Sequence, residues 1–215
     1  MKASYETNTE KVYSKIYHDK YNYHPRQIYY AKKNILKNLK QSGIKLRDLK
    51  EKNILNIGTG LEAVVFNKIG AKKIYHFDLS RRAVKNLTKL SKKKKFRKII
   101  SKKKNVVKDK IIISEKIDFV FLQGVIHHFN NVGKGLMNII QNIKVGGVIF
   151  LRIYKSGSIS YFYVDFMRKF LSFRSILLFD KIFKKRFKII TNSAGQVRSD
   201  FFTYLYNHCI DNLFV

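Results

Sequence analysis

The first chemical signal in this sequence comes from a glycine-bearing junction and a carboxylate twenty residues beyond it. The stretch Asn56-Ile57-Gly58-Thr59-Gly60-Leu61-Glu62-Ala63 links a short apolar run to a helical pattern, and Asp78 ends the next apolar run. Glycines at such a junction let a ligand approach the backbone and expose the N–H groups of a helix start. A carboxylate at the end of the following strand can accept both hydroxyls of a ribose. Together they indicate an adenosine-containing ligand, although Gly58 and Gly60 alone would serve equally well in a tight turn. His127 and His128 follow a later apolar run. Histidine exchanges a proton near neutral pH, so either is a candidate base. The structural alternative is that one packs against the ligand and the other hydrogen-bonds a loop.

The junction also satisfies G-x-G-x-x-A, the dinucleotide pattern. Glu62 speaks against that reading, because a carboxylate beside the helix N-terminus repels a pyrophosphate competing for the same dipole. A ligand bearing ammonium and sulfonium charges meets no such penalty, which favours S-adenosylmethionine.

The elements that must position these residues are legible as alternating strands and helices. Residues 1–50 read as an N-terminal helical lead. After Pro25, Ile28, Ala31, Ile35, Leu36 and Leu39 recur at helical spacing and end near Ser42-Gly43. Strands are expected at Asn53–Ile57, Lys73–Phe77 and Ile117–Leu122, with a fifth at Val148–Ile153. Helices are expected through Ala63–Ile69, after an N-cap at Ser80, and over Leu136, Ile139, Ile140 and Ile143. The third strand is either Lys98–Ser101 or Ile111–Ile113. Near-continuous apolar strands separated by helices predict a mostly parallel sheet covered on both faces, with ligands at the carboxyl ends of its strands. The segment 158–190 is aromatic and basic at helical spacing. It suits a helical cover over the sheet, or a surface lying on an anionic membrane.

Composition narrows the class further. In 215 residues there is a single cysteine, Cys209, which excludes an internal disulfide framework and a multi-cysteine zinc site; no metal is expected. The N-terminus lacks the apolar stretch of a signal peptide, and no run reaches the roughly 18 apolar residues of a membrane span. A cytoplasmic location is expected. The formal net charge is +31, from 45 Lys and Arg against 14 Asp and Glu. Such a charge attracts phosphate-rich partners. The abundance of lysine, Ile, Asn, Phe and Tyr with one proline equally fits codon bias, so charge alone does not name a partner.

Four ordered motifs carry a family resemblance: Ile54-Leu55-Asn56-Ile57-Gly58-Thr59-Gly60, Phe77-Asp78-Leu79-Ser80, Asp118-Phe119-Val120-Phe121-Leu122-Gln123-Gly124-Val125-Ile126-His127-His128-Phe129, and Gly146-Gly147-Val148-Ile149-Phe150-Leu151. Over Glu51 to Arg152 the chain resembles class I S-adenosylmethionine-dependent methyltransferases. The resemblance implies a Rossmann-like, doubly wound α/β fold with a cofactor-binding core over 51–155 and a helical substrate-side cover over 156–215, one domain overall. It implies that Gly58 and Gly60 pass under the methionine portion and that Asp78 holds the ribose. Asn56, Thr59 and Leu79 would flank the same cofactor, Gln123 and Gly124 would border the methyl end, and Val107-Lys108-Asp109 would flank the adenine. Asn56 departs from a position often acidic in the family, and Glu62 from one often glycine.

The family sheet usually closes with an antiparallel strand pair, for which no signal follows the fifth strand; either a shortened form or an aromatic strand filling the sheet edge is expected. The expected reaction is methyl transfer to a small-molecule acceptor, with Arg152 and Tyr154 serving either to orient an anionic group or in a purely structural role. RNA as acceptor and a non-catalytic cofactor-binding protein are the alternatives. Oligomeric state is not legible.

Overall fold

The computed structural model describes Glu10 and residues Tyr23–Ile153. Tyr154, the segment 158–190, the whole 156–215 cover and any closing strand pair lie outside the described residues. The chain divides into two units, Met1–Ile153 and Tyr154–Val215, and all the described residues belong to the first.

Among the described residues, five strands form one sheet: β1 (Asn53–Ile57), β2 (Lys73–Asp78), β3 (Ile99–Lys103), β4 (Ile117–Gln123) and β5 (Ile143–Arg152). Their order is β3-β2-β1-β4-β5 and every pairing is parallel. The inner strands read as continuous apolar runs because both faces are covered; all five residues of β1 are buried. The chain builds outward from β1 through β2 to β3, then returns to the other side of β1 for β4 and β5. Strand order therefore switches between β1 and β4, where such sheets open a ligand crevice.

Among the described residues, the helices α1 (Pro25–Gln41), α2 (Gly60–Lys68), α3 (Arg81–Ser91) and α4 (Val132–Ile140) cover the sheet. Helix α1 begins with Pro25 at its first turn and a reciprocal cap, in which Arg26 N–H donates to His24 Nδ1 and His24 N–H donates to Gln27 Oε1. It delivers Ile28, Ile35 and Leu39 to a core shared with Phe66 of α2, Leu87 of α3 and the sheet residues Ile54, Ile74 and Phe121. The next residues along β1 and β4 turn to the other face, where Leu55, Val120 and Leu122 meet Ile139 of α4 with Val106 and Val107. Phe121 and Phe150 stack at 4.9 Å, and Phe66 meets Phe121 edge-on at 5.2 Å.

The structure decides the open third strand in favour of Ile99–Lys103; Ile111–Ile113 form no strand, and Ile112 is largely exposed. Two expectations need correction. The helix over Leu136–Ile143 ends at Ile140, and Ile143 starts β5 rather than completing the helical stripe. The fifth strand begins five residues earlier than expected because Ile143 pairs with Ile117 before a register shift. Gly146 and Gly147 make that bulge. Gly146 holds φ +76°, and a side chain on Gly147 would collide with Ile143 and lie 3.0–3.1 Å from the Lys144 and Ile117 carbonyls.

Candidate active site

The turn after β1 is pinned to β2 by two bonds. Gly58 holds φ +110°, a region that disfavours any side chain, and its N–H donates to the Phe77 carbonyl at 3.1 Å. Its own carbonyl lies 2.7 Å from Nε2 of His76, a fully buried residue of β2. A carbonyl only accepts, so Nε2 carries the proton and Nδ1 accepts from the Ser101 hydroxyl of β3 at 2.8 Å. Burial lowers the His76 pKa to about 4, against a weaker opposing contribution from the Gly58 bond, which keeps the ring neutral near pH 7. His76 thus spans from β3 to the glycine turn.

Thr59 caps α2, and its hydroxyl donates to the Glu62 carboxylate in the first helical turn. Burial pushes the Glu62 carboxyl up to about 7, opposed by the Thr59 hydroxyl and by a backbone N–H. Asp78, at the end of β2, accepts the Ser80 N–H, and Ser80 in turn accepts the Ala83 N–H at 3.2 Å to start α3. Although Asp78 keeps partial surface exposure, the dense protein around its carboxyl pushes it up to about 7. The Ser80 bond opposes the rise, while Glu62 and Glu10 add to it. Leu79 beside it is half-buried.

Tyr23 completes this group. A side chain on Gly60 would bring its Cβ within 2.6 Å of the Tyr23 hydroxyl and 2.9 Å of Leu87, so the phenol lies directly over the helix start. Burial raises its pKa, and the charges of Asp78 and Glu62 raise it further, so the phenol stays protonated. The glycine turn, Glu62, Asp78 and Tyr23 therefore share one locality, in which Gly60 leaves the room that Tyr23 fills.

The segment after β4 reaches the same turn: a Cβ on Gly58 would lie 2.8 Å from Val125 Cγ2. Gly124 holds φ +63° and donates its N–H to the Arg152 carbonyl at 2.9 Å. Gln123 is turned toward α1, where its Oε1 accepts from Asn38 Nδ2 at 2.7 Å. His127 is buried and His128 half-buried on the short 3₁₀ turn Ile126–His128, with ring centroids 4.1 Å apart. Arg152 is exposed at the end of β5. In the 105–109 turn, Asp109 accepts the Asn105 N–H at 2.8 Å and Asn105 accepts the Val107 N–H at 3.0 Å, so the Asp109 carboxylate is committed to its own loop.

Asn56 is 1% exposed, and its Oδ1 has no hydrogen-bond partner among the described residues. Register places Ser101, His76, Asn56, Phe121 and Phe150 in one row across the sheet, so a polar half of the row abuts an aromatic half. Neither Tyr23 nor His76 is singled out by the sequence. A lone histidine inside an apolar strand, two residues before Asp78, is the available sign for the second; nothing local marks the first. Among the described residues no group of His, Cys, Asp and Glu could hold a metal ion, and no helix is long and apolar enough to cross a membrane.

The family described as a methyltransferase domain matches residues 55–151. No curated protein matches the chain. Among solved structures, the N-methyltransferase NodS from Bradyrhizobium japonicum, in complex with S-adenosyl-L-homocysteine, is 15% identical, with 66% of this chain and 71% of that one covered at a TM-score of 0.49. The YcgJ protein from Bacillus subtilis is 15% identical, with 67% and 59% covered at 0.48. A methyltransferase from Aquifex aeolicus is 21% identical, with 53% and 58% covered at 0.41. This chain thus spans about three fifths of the YcgJ structure. The matched region runs from β1 through β5 and contains the glycine turn, Asp78 and both histidines, so the residues of the candidate site named by the sequence motifs lie inside the stretch that matches a methyltransferase domain.

Proposed function

We propose that this chain transfers the methyl group of S-adenosylmethionine to a small-molecule acceptor. The observation that carries the reading is the meeting of Asp78 with the Gly58–Gly60 turn at the carboxyl ends of β1 and β2. The residues present suit such a donor. Asp78 would accept the ribose hydroxyls, and the methionine portion would lie beside the turn, bordered by Val125 and Tyr23, which fill the room next to Gly58 and Gly60. Asn56 Oδ1, buried and unpartnered among the described residues, offers an acceptor to an ammonium group. Glu62 and Asp78, poised near neutrality, would ionise as a cation approaches.

A sulfonium supplies an already activated leaving group, so the protein's work is to orient the reactants and exclude water. Tyr23 would cover the turn, and His76 would hold its carbonyl in place. Where the acceptor must lose a proton, His127 or His128 would take it at a ring nitrogen. Arg152 would orient an anionic acceptor. Calorimetry with S-adenosylhomocysteine tests the donor half, and methyl incorporation from labelled donor into a metabolite pool tests the acceptor half. Donor binding with no labelled small-molecule product would contradict the acceptor class. A second acceptor, RNA, is favoured by one observation, the concentration of basic residues along the β3 edge; labelled methyl recovered in RNA would select it. The domain limits expected from sequence, the cytoplasmic location and membrane contact through 158–190 stand as proposals alongside.

A further inference from the structure

The positive charge of this chain is not spread evenly. Between Leu79 and Lys110 lie fifteen Lys and Arg residues, a third of the chain's 45, against one acidic residue, Asp109. Codon bias toward lysine predicts an even spread, and it does not predict the near-absence of carboxylates in one stretch. The fold turns this stretch into one surface. Helix α3, the Lys94–Phe96 turn and β3 are consecutive, α3 packs on β3, and β3 is an edge strand of the sheet among the described residues. Thirteen of the fifteen basic residues are exposed, including Lys92–Lys95 in sequence. Lys103 pairs in register with Asp78, and Lys104 N–H donates to the Asp78 carbonyl at 3.1 Å, so the surface runs to the rim of the proposed donor site.

We propose that the β3 edge is a docking surface for the phosphodiester backbone of single-stranded RNA. Two features favour that occupant over an anionic membrane. No large hydrophobic side chain is exposed between residues 79 and 110, so the surface has nothing to insert into lipid. Twelve of the fifteen cations are lysines, which act as point charges on phosphates and lack the fork of arginine that reads bases. Binding is therefore backbone-directed, insensitive to sequence and steeply salt-dependent. The inference deepens the RNA reading and rests on it only where RNA is the acceptor; docking itself is read without methyl transfer.

The test is fluorescence anisotropy of a 20-nucleotide single-stranded RNA with the full chain between 50 and 200 mM KCl. The wild type is compared with K92Q/K93Q/K94Q/K95Q and with K32Q/K33Q/K37Q/K40Q, which removes the same charge from exposed positions on α1. Loss of four single-strand phosphate contacts lowers the slope of log affinity against log salt by about 3, and affinity at 50 mM falls more than tenfold. The α1 variant retains most of the affinity. Equal losses in both variants, an unchanged slope in the edge variant, or tighter binding to phosphatidylserine vesicles than to RNA would overturn the proposal. Calorimetry with S-adenosylhomocysteine on the same edge variant shows that it is folded and reads the donor site separately, so failure of docking is distinguishable from failure of the methyltransferase reading.

Discussion

Replacing His76 with alanine removes the two ring bonds that link the glycine turn through β2 to β3, and leaves the bond from Gly58 N–H to the Phe77 carbonyl. His76 is fully buried between the Gly58 carbonyl and the Ser101 hydroxyl. Each buried polar group left without a partner costs about 1–3 kcal/mol, and the vacated ring leaves a cavity besides. The expected loss is about 3–5 kcal/mol of unfolding free energy, a fall in Tm on the order of 10 °C for a chain of this size. Because Gly58 belongs to the proposed donor turn, affinity for S-adenosylhomocysteine drops as well. Phe66→Leu, a change in the core under α2, lowers Tm with affinity retained. His76→Gln keeps a donor within reach of the carbonyl and recovers part of both losses. The pH dependence gives a further reading. Burial holds the folded pKa at about 4, below the ordinary 6.5, so the unfolded chain takes up the proton first. The contribution is fully present above pH 6.5 and is lost as pH falls toward 4, about 3 kcal/mol across that window. It vanishes in His76→Gln compared at each pH. Differential scanning fluorimetry and calorimetry read these quantities. A His76→Ala protein with wild-type Tm and wild-type affinity would refute the role assigned to the ring.

Further outcomes concern the same site. Glu62 and Asp78 have carboxyls raised to about 7. Their neutral forms favour the fold at low pH, and that contribution is lost as pH rises through 7, while affinity for a cationic donor moves the opposite way. From pH 6 to 8 the ionised fraction of each rises from about a tenth to about nine tenths, so S-adenosylmethionine affinity should rise roughly tenfold for each carboxylate required. Titration calorimetry at the two pH values checks this, and a flat profile contradicts it. Gly58→Ala meets both a φ of +110° and Val125 at 2.8 Å. Calorimetry should show a loss of more than about tenfold in its S-adenosylhomocysteine affinity. Gly43→Ala, at φ +72° with open space around it, should cost about 1–2 kcal/mol of stability and leave that affinity unchanged.

How much of the molecule is legible in its sequence depends on where each residue is buried. Strands β1, β2 and β4 announce themselves because parallel inner strands are apolar on both faces, and Ser80 announces the start of α3 by its capping chemistry. Strand β3 is ambiguous because an edge strand needs little burial: Ile99 is buried, whereas Lys102 and Lys103 face solvent, and Ile111–Ile113 give an equally apolar run. The start of β5 is hidden for a related reason, since Lys144, Val145 and Gly146 are exposed around a glycine bulge. In the candidate site, the glycine turn and Asp78 are legible because their chemistry is local. Tyr23 is not, because it meets Gly60 only through the fold, and the commitment of Gln123 to Asn38 depends on where α1 lies. Charge shows its amount in the composition, and its concentration at one edge only once β3 is placed as an edge strand.

Calorimetric titration of S-adenosylhomocysteine into the wild type and into Asp78→Ala is the decisive measurement of the donor site. Saturable binding is expected of the wild type. The variant should lose at least about tenfold, about 1.4 kcal/mol or more, at retained fold. No binding by the wild type, or equal binding by the two proteins, would show that Asp78 and the glycine turn do not form a donor site.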